Sequence, residues 1–277
     1  MDGNLQIAFA LTLFAGMTTG IGSFIVFFQR RPTLKLLSLG LGFSAGVMIY
    51  ISLVELLPQA GREISILLGE RSGGWIATGC FFAGILLSAI IDRLVPDPEN
   101  PHEFVPLEDV RRAGAGKTEP SASGRAQRPS LARVGVLTAV VIGVHNFPEG
   151  MATFVSAMTD VSLGLSIAIA VAVHNIPEGI SVAVPVYFAT GDRNKALLYS
   201  FGSGLAEPLG ALAVWLVLMP FMNEVTLGIL LSVVAGIMVF ISFDELLPCA
   251  REYDHGHTEI IGVILGMAVM AVSLLLI

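Results

Sequence analysis

The chain has 277 residues, of which 54% are hydrophobic and 13% charged, and its mean hydropathy is +0.79. A soluble chain carries about 25% charged residues, so this composition all but rules out a cytosolic enzyme of two or three soluble domains and fits a polytopic all-α membrane protein in a lipid bilayer. The net charge of −7 argues against nucleic acid as a partner, which calls for clustered Lys and Arg, and two cysteines, Cys80 and Cys249, make neither a disulfide framework nor a CxxC metal motif.

A span needs about 20 mostly apolar residues to cross roughly 30 Å of hydrocarbon. Span 1, Leu5–Phe28, has no basic n-region and is long for a signal-peptide core, so it reads as a true first helix. Span 2 is Leu34–Leu57 and span 3 is Gly74–Leu94. The connection over 95–133 holds six Pro, six acidic and six basic residues. It cannot bury enough apolar surface to fold and is expected to be a flexible cytoplasmic loop, in which His102 is a solvated side chain. Spans 4 to 8 follow as Val134–Met158, Ser162–Phe188, Ala196–Met219, Thr226–Leu247 and Glu259–Ile277. The whole of 1–277 is thus read as a single transmembrane domain.

With the N-terminus outside, thirteen Lys and Arg fall on the cytoplasmic side, and only Arg62 and Arg71 fall on the other. That positive-inside bias places both termini on the extracytoplasmic face.

Two internal repeats are visible. His145-Asn-Phe-Pro-Glu-Gly150 recurs 29 residues later as His174-Asn-Ile-Pro-Glu-Gly179. Ala45–Pro58 recurs as Ala235–Pro248, with nine of fourteen positions identical. Gly16 and Gly22 of span 1 echo Gly204 and Gly210 of span 6. Matching spans run in opposite directions, so spans 1–3 and 6–8 are expected to form inverted repeats, with spans 4 and 5 paired across the axis, in a 3+2+3 bundle. Secondary transporters built this way bind their substrate at the repeat interface near the midplane.

His145, His174 and Glu207 lie about halfway along spans 4, 5 and 6. Ionisable groups at that depth are costly and functional by default. In each repeated motif the His and the Glu are four apart and share a helix face, while Asn146 and Asn175 lie about 100° round and can reach a neighbouring helix. Pro148, Pro177 and Pro208 each leave a carbonyl without its helical partner, so all three spans are expected to be interrupted at this level.

No Lys or Arg occurs between Arg133 and Arg193, and span 6 has no basic residue of its own. Glu149, Glu178 and Glu207 therefore have no salt-bridge partner within these spans, and protons or bound cations must supply the counter-charge. Imidazole suits zinc and iron; carboxylate and amide oxygens also suit manganese. The set could hold two adjacent ions with Glu149 and Glu178 bridging, in a mixed site suited to an ion that must leave again. No prosthetic group is expected.

The HNFPEG and HNIPEG pair, Gly202-Ser-Gly-Leu-Ala-Glu207-Pro and the eight-span layout resemble the ZIP (Zrt/Irt-like) metal transporters. The resemblance implies uptake of zinc, with iron, manganese, cobalt or cadmium as further substrates, across a bacterial inner membrane into the cytoplasm. Carried over by position, it implies a zinc site of Glu149, His174 and Glu178 with His145 close by. A second site would use Asn146, Glu149, Asn175, Glu178 and Glu207, and Met48 would be a soft contact outside the first.

Several features lie beyond this core. Glu55, near the outer end of span 2, and Asp244 with Glu245, near the inner end of span 7, are either way-stations for the ion or interfacial acids. His255 and His257, in the cytoplasmic loop before span 8, are either ion collectors at the exit or, the favoured reading, a solvated pair. The spacings Gly16–Gly20, Gly42–Gly46 and Gly262–Gly266 permit close helix packing and are compatible with a homodimer. The competing readings are an intramembrane zinc hydrolase, which needs three protein ligands and an activated water, and a metal-gated receptor that binds without translocation.

Overall fold

The computed structural model describes residues 2–24, 34–94, 131–190, 192–254 and 256–276. Among them are helices and no strand. The connection over 95–130 with His102, as well as His255 and the His145 side chain, lies outside the described residues.

Eight helical rods match the eight expected spans. Helix α1 is Asp2–Gly22, and α2 joins the α-helix Leu34–Ile51, a π turn Ser52–Leu56 and the α-helix Leu57–Leu68. Next come α3 (Glu70–Leu94), α4 (Leu131–Thr159) and α5 (Val161–Thr190). Helix α6 is in two pieces, Arg193–Gly204 and Ala206–Ala213, followed by a π turn Val214–Leu218 and a 3-10 turn Met219–Phe221. Helix α7 joins Glu224–Ile241, a π turn Ser242–Leu246 and Leu247–Tyr253; α8 is Thr258–Leu276. Among the described residues, seven rods are long and apolar enough to cross a membrane. The eighth, α4, has 29 residues and reaches about 43 Å at 1.5 Å per residue.

Polar residues in the short connections start the rods. Asp160 accepts from the Ser162 and Leu163 N–H groups at 2.7 and 3.0 Å at the start of α5. Asp192 caps α6 through Asn194 N at 2.9 Å, and Asn223 caps α7 through Thr226 N at 2.9 Å. Each satisfies N–H groups that a helix start leaves orphaned. Gly69, at φ +81, makes the turn from α2 to α3, a conformation that side-chain-bearing residues rarely adopt.

The packing has the symmetry the repeats imply. Helix α1 lies along α5 as α6 lies along α4; α2 lies along α8 as α7 lies along α3; α4 and α5 pack on each other. Exchanging 1 with 6, 2 with 7, 3 with 8 and 4 with 5 maps each pair onto its counterpart. Glycines at related positions make the same close approach. A methyl group at Gly46 would lie 2.2 Å from the Val263 carbonyl oxygen, and one at Gly236 would lie 2.0 Å from that of Phe81. Gly22 meets the Ile176 carbonyl as Gly210 meets that of Phe147. Only glycine permits such backbone contact between helices. The GxxxG-type positions Gly42, Gly46, Gly262 and Gly266 are occupied in this way inside the chain, between α2 and α8, and Gly16 and Gly20 face α6. These glycines therefore offer no surface to a second copy.

The longer repeat explains the two mirrored π turns. Leu57 N–H bonds the Ser52 carbonyl, and Leu247 N–H bonds that of Ser242. Pro58 and Pro248 follow at the start of the next helical piece, where a missing N–H matters least. The other prolines act differently from the expectation. Helices α4 and α5 run unbroken through Pro148 and Pro177, and only α6 is interrupted, at Leu205 just before Glu207-Pro208. One lost hydrogen bond in a long, well-packed helix is tolerated as a local adjustment. In α6, Gly202 and Gly204 precede the proline, and the two deficits combine to end the first piece.

Candidate metal site

Among the seven rods long and apolar enough to cross a membrane, α2, α5 and α7 are the most buried, whereas α3 and α8 turn large apolar side chains such as Phe82, Leu86 and Ile264 outward. The bundle therefore has a lipid-facing shell and a protein-lined interior. The polar groups of the repeated motifs fall in that interior. Asn146, Glu149, His174, Asn175, Glu178 and Glu207 are each at most 1% exposed.

His174 and Glu178 occupy one face of α5 and meet Glu149 from α4. One ligand atom from each of the three lies within 4.8 Å of the others, and His174 Nε2 is 3.2 Å from Glu149 Oε2. Ligands at zinc distances of 2.0–2.1 Å in a tetrahedron stand about 3.4 Å apart. His174 Nε2 and Glu149 Oε2 already stand near that spacing, and a Glu178 oxygen lies within 4.8 Å of both.

The asparagines reach sideways and make mirror-image contacts. Asn175 Nδ2 on α5 donates to the Ala15 carbonyl of α1 at 3.0 Å and to Glu207 of α6. Asn146 Nδ2 on α4 donates to the Ser203 carbonyl of α6 and to Thr19 Oγ1 of α1, both at 3.5 Å. The Gly16–Gly204 correspondence pairs Ala15 with Ser203 and Thr19 with Glu207. The site is thus pseudo-symmetric in its scaffold and asymmetric in charge: one half carries an acid where the other carries a hydroxyl.

Several buried oxygens here have no hydrogen-bond partner: Glu149 Oε1, Asn175 Oδ1 and Glu207 Oε2. Buried polar atoms are normally paired. Three unpaired oxygens beside the His174 imidazole are a donor set compatible with a cation of the zinc, iron or manganese class.

Of the positions expected from sequence, Glu149, His174 and Glu178 come together as one cluster, and Asn175 with Glu207 adjoins it. Asn146 takes the mirrored place of Asn175. Met48 is fully buried on α2. Half-buried Glu55 lies 3.9 Å from exposed Arg62 in an ion pair. Asp244 is exposed, Glu245 is buried and His257 is exposed. Two contributors went unnoticed in the sequence. Ser44 Oγ donates to Glu178 Oε1 at 3.3 Å, and it stands one residue before the longer repeat and four before Met48. Thr19 stands three residues after Gly16, as Glu207 stands three after Gly204, so the glycine echo already marked it.

A model of the family described as ZIP Zinc transporter matches residues 8–274. A protein of Lysinibacillus sphaericus is 53% identical over 276 residues, covering 100% of this chain and 99% of the relative. One from Clostridium perfringens is 53% identical, covering 99% and 96%, and one from Streptococcus mutans is 52% identical, covering 100% and 99%. Each of the three is named Zinc transporter ZupT.

Proposed function

The chain belongs to the ZIP zinc transporter family, and from that premise we propose that it carries zinc into the cytoplasm through the buried cluster on α4, α5 and α6. The observation that carries this reading is the convergence of Glu149, His174 and Glu178 in the buried interior of the bundle in a stretch without Lys or Arg. Two acids and an imidazole held there need a positive charge, and a travelling divalent cation supplies it. Glu149, His174 and Glu178 bind the first ion, with His145 as a further ligand of this site. Asn146, Asn175 and Glu207, with Glu149 and Glu178 bridging, hold a second ion beside it. The oxygen-rich second set admits iron, manganese, cobalt and cadmium as additional substrates.

The mirrored halves supply the means of alternating access. Two packings of related helices exchange which side of the site is open, while the ion stays at the level of the symmetry axis. Both termini face the extracytoplasmic side, so the ion enters at the end of α4 that carries Thr159 and leaves at the end that carries Leu131. The relatives' names favour transport over the hydrolase and receptor alternatives.

The test is zinc uptake by the full chain in proteoliposomes and in metal-depleted cells, with Glu149→Ala and Glu178→Ala beside the unaltered protein. Uptake by the unaltered protein and none by the folded variants is expected. Normal transport by both variants refutes the site.

A further inference from the structure

Six hydroxyls bond the carbonyl four residues back in their own helix. They are Thr12 to Ala8, Ser65 to Gly61, Thr159 to Val155, Ser166 to Ser162, Thr190 to Val186 and Ser242 to Met238, at 2.6–3.0 Å. This is how a hydroxyl is satisfied inside an apolar helix. Ser52, Thr153, Ser156 and Ser232 behave differently. All four are 0% exposed, and their oxygens have no hydrogen-bond partner. An unpaired hydroxyl in a dry interior is costly, and an apolar side chain of similar size would avoid that cost.

The four lie on elements that pack together, the π turn of α2 against α7 and α7 against α4. They also lie on one side of the metal cluster. Thr153 and Ser156 follow Glu149 by four and seven residues on one face of α4, about 6 and 10 Å toward its Thr159 end. Ser52 lies eight residues, about 12 Å, beyond Ser44, which bonds Glu178, and α2 runs in the same direction as α4. Ser232 stands two residues from Val234, the position that the repeat pairs with Ser44, so it is close to the level of the cluster. At the far end Gln59, 6% exposed, has an unpartnered Oε1. Ser38, also buried and unpartnered, is at the opposite end of α2.

We propose that Gln59, Ser52, Ser156, Thr153 and Ser232 line the outer half of the ion's route, closed in this structure, through which a partly dehydrated divalent cation descends to Glu149. This rests on the transport reading above. Hydroxyl and amide oxygens are neutral ligands for such cations. They replace hydration water step by step and bind weakly enough to pass the ion on to the carboxylates. Back-bonded hydroxyls would have their donor committed to the helix; these have donor and lone pairs free for the ion and its water.

The experiment uses the full chain with Cys80→Ser and Cys249→Ser, carrying Ser156→Cys or Ser52→Cys. A membrane-impermeant, positively charged methanethiosulfonate is added from the extracytoplasmic side. During turnover the introduced thiol reacts and uptake stops, and saturating zinc slows the reaction by about tenfold, as site occupancy closes the route. A transporting variant that is modified only from the cytoplasmic side, or not at all, overturns the proposal. The double variant Ser156→Ala/Thr153→Val provides a second measurement. Its maximal uptake rate falls roughly tenfold, the effect of one lost hydrogen bond in the rate-limiting step, while zinc affinity of the purified protein is unchanged. An unchanged rate in that folded variant also overturns it. If the unaltered protein takes up no zinc, the transport reading itself has failed; if it does and these variants are indifferent, the lane alone has failed.

Discussion

Gly16 of α1 and Gly204 of α6 touch backbone to backbone: a methyl group on either would fall 2.3 or 2.0 Å from the other's carbonyl oxygen. This contact relates the two halves of the bundle. It sets the distance between Thr19 and Glu207, three residues further along each helix, and so the spacing of the mirrored Asn146 and Asn175 contacts.

Gly16→Ala and Gly204→Ala force these helices apart. Each is expected to destabilise the protein by about 1–3 kcal/mol or more, the usual cost of overpacking. Gly202→Ala is the control, because a Cβ there meets nothing within 4 Å. It should be neutral or stabilising by up to about 1 kcal/mol through helix propensity. Thermal unfolding in detergent distinguishes the three.

Glu149→Gln and Glu178→Gln remove carboxylates assigned to both ions. Zinc affinity is expected to fall by more than about 100-fold in each, exceeding the 10–100-fold typical of groups that only support a ligand. Glu207→Gln leaves the Glu149–His174–Glu178 cluster intact. It should lower the number of ions bound and spare the tighter one. Titration calorimetry on purified protein reads both affinity and stoichiometry.

Ser44→Ala leaves Glu178 in place but removes the hydroxyl that holds its Oε1. A loss of about tenfold in zinc affinity is expected, with uptake retained, as for an orienting partner of a ligand. Ser44→Thr, which keeps the donor, should restore part of it if the added methyl is accommodated. Equal loss in both would mean that α2 packing, not the hydrogen bond, is what matters.

Metal ligands must be deprotonated to bind. Protons and zinc therefore compete for the same carboxylates and imidazole. The zinc concentration for half-maximal uptake is expected to rise as the pH on the side of entry falls, with the maximal rate recovered at high zinc. Initial rates over a matrix of pH and zinc concentration test this; a half-saturation independent of pH contradicts competition at the site.

Much of this was legible in the residues. Hydropathy runs located all eight rods because lipid demands continuous apolar helices. The two repeats announced the inverted symmetry, since positions 45–58 and 235–248 could recur on oppositely directed spans only if the halves are mirrored. Four-residue spacing placed His174 with Glu178, and the missing Lys and Arg exposed the charge problem. Proline was the misleading signal. Pro148 and Pro177 resembled Pro208 as residues, yet only α6 broke, where Gly202 and Gly204 add to the proline's deficit.

Local sequence thus decided which segments are apolar enough to cross a membrane and which polar groups fall within them, because both follow from the chemistry of consecutive residues in hydrocarbon. Only tertiary structure decided who meets whom. Ser44 reaches Glu178, Thr19 stands opposite Glu207, and Gly42 and Gly262 serve α2 and α8 of one chain instead of a second copy. Those pairings depend on the distance and rotation between helices far apart in sequence. Such distances are set by where glycine lets two backbones touch.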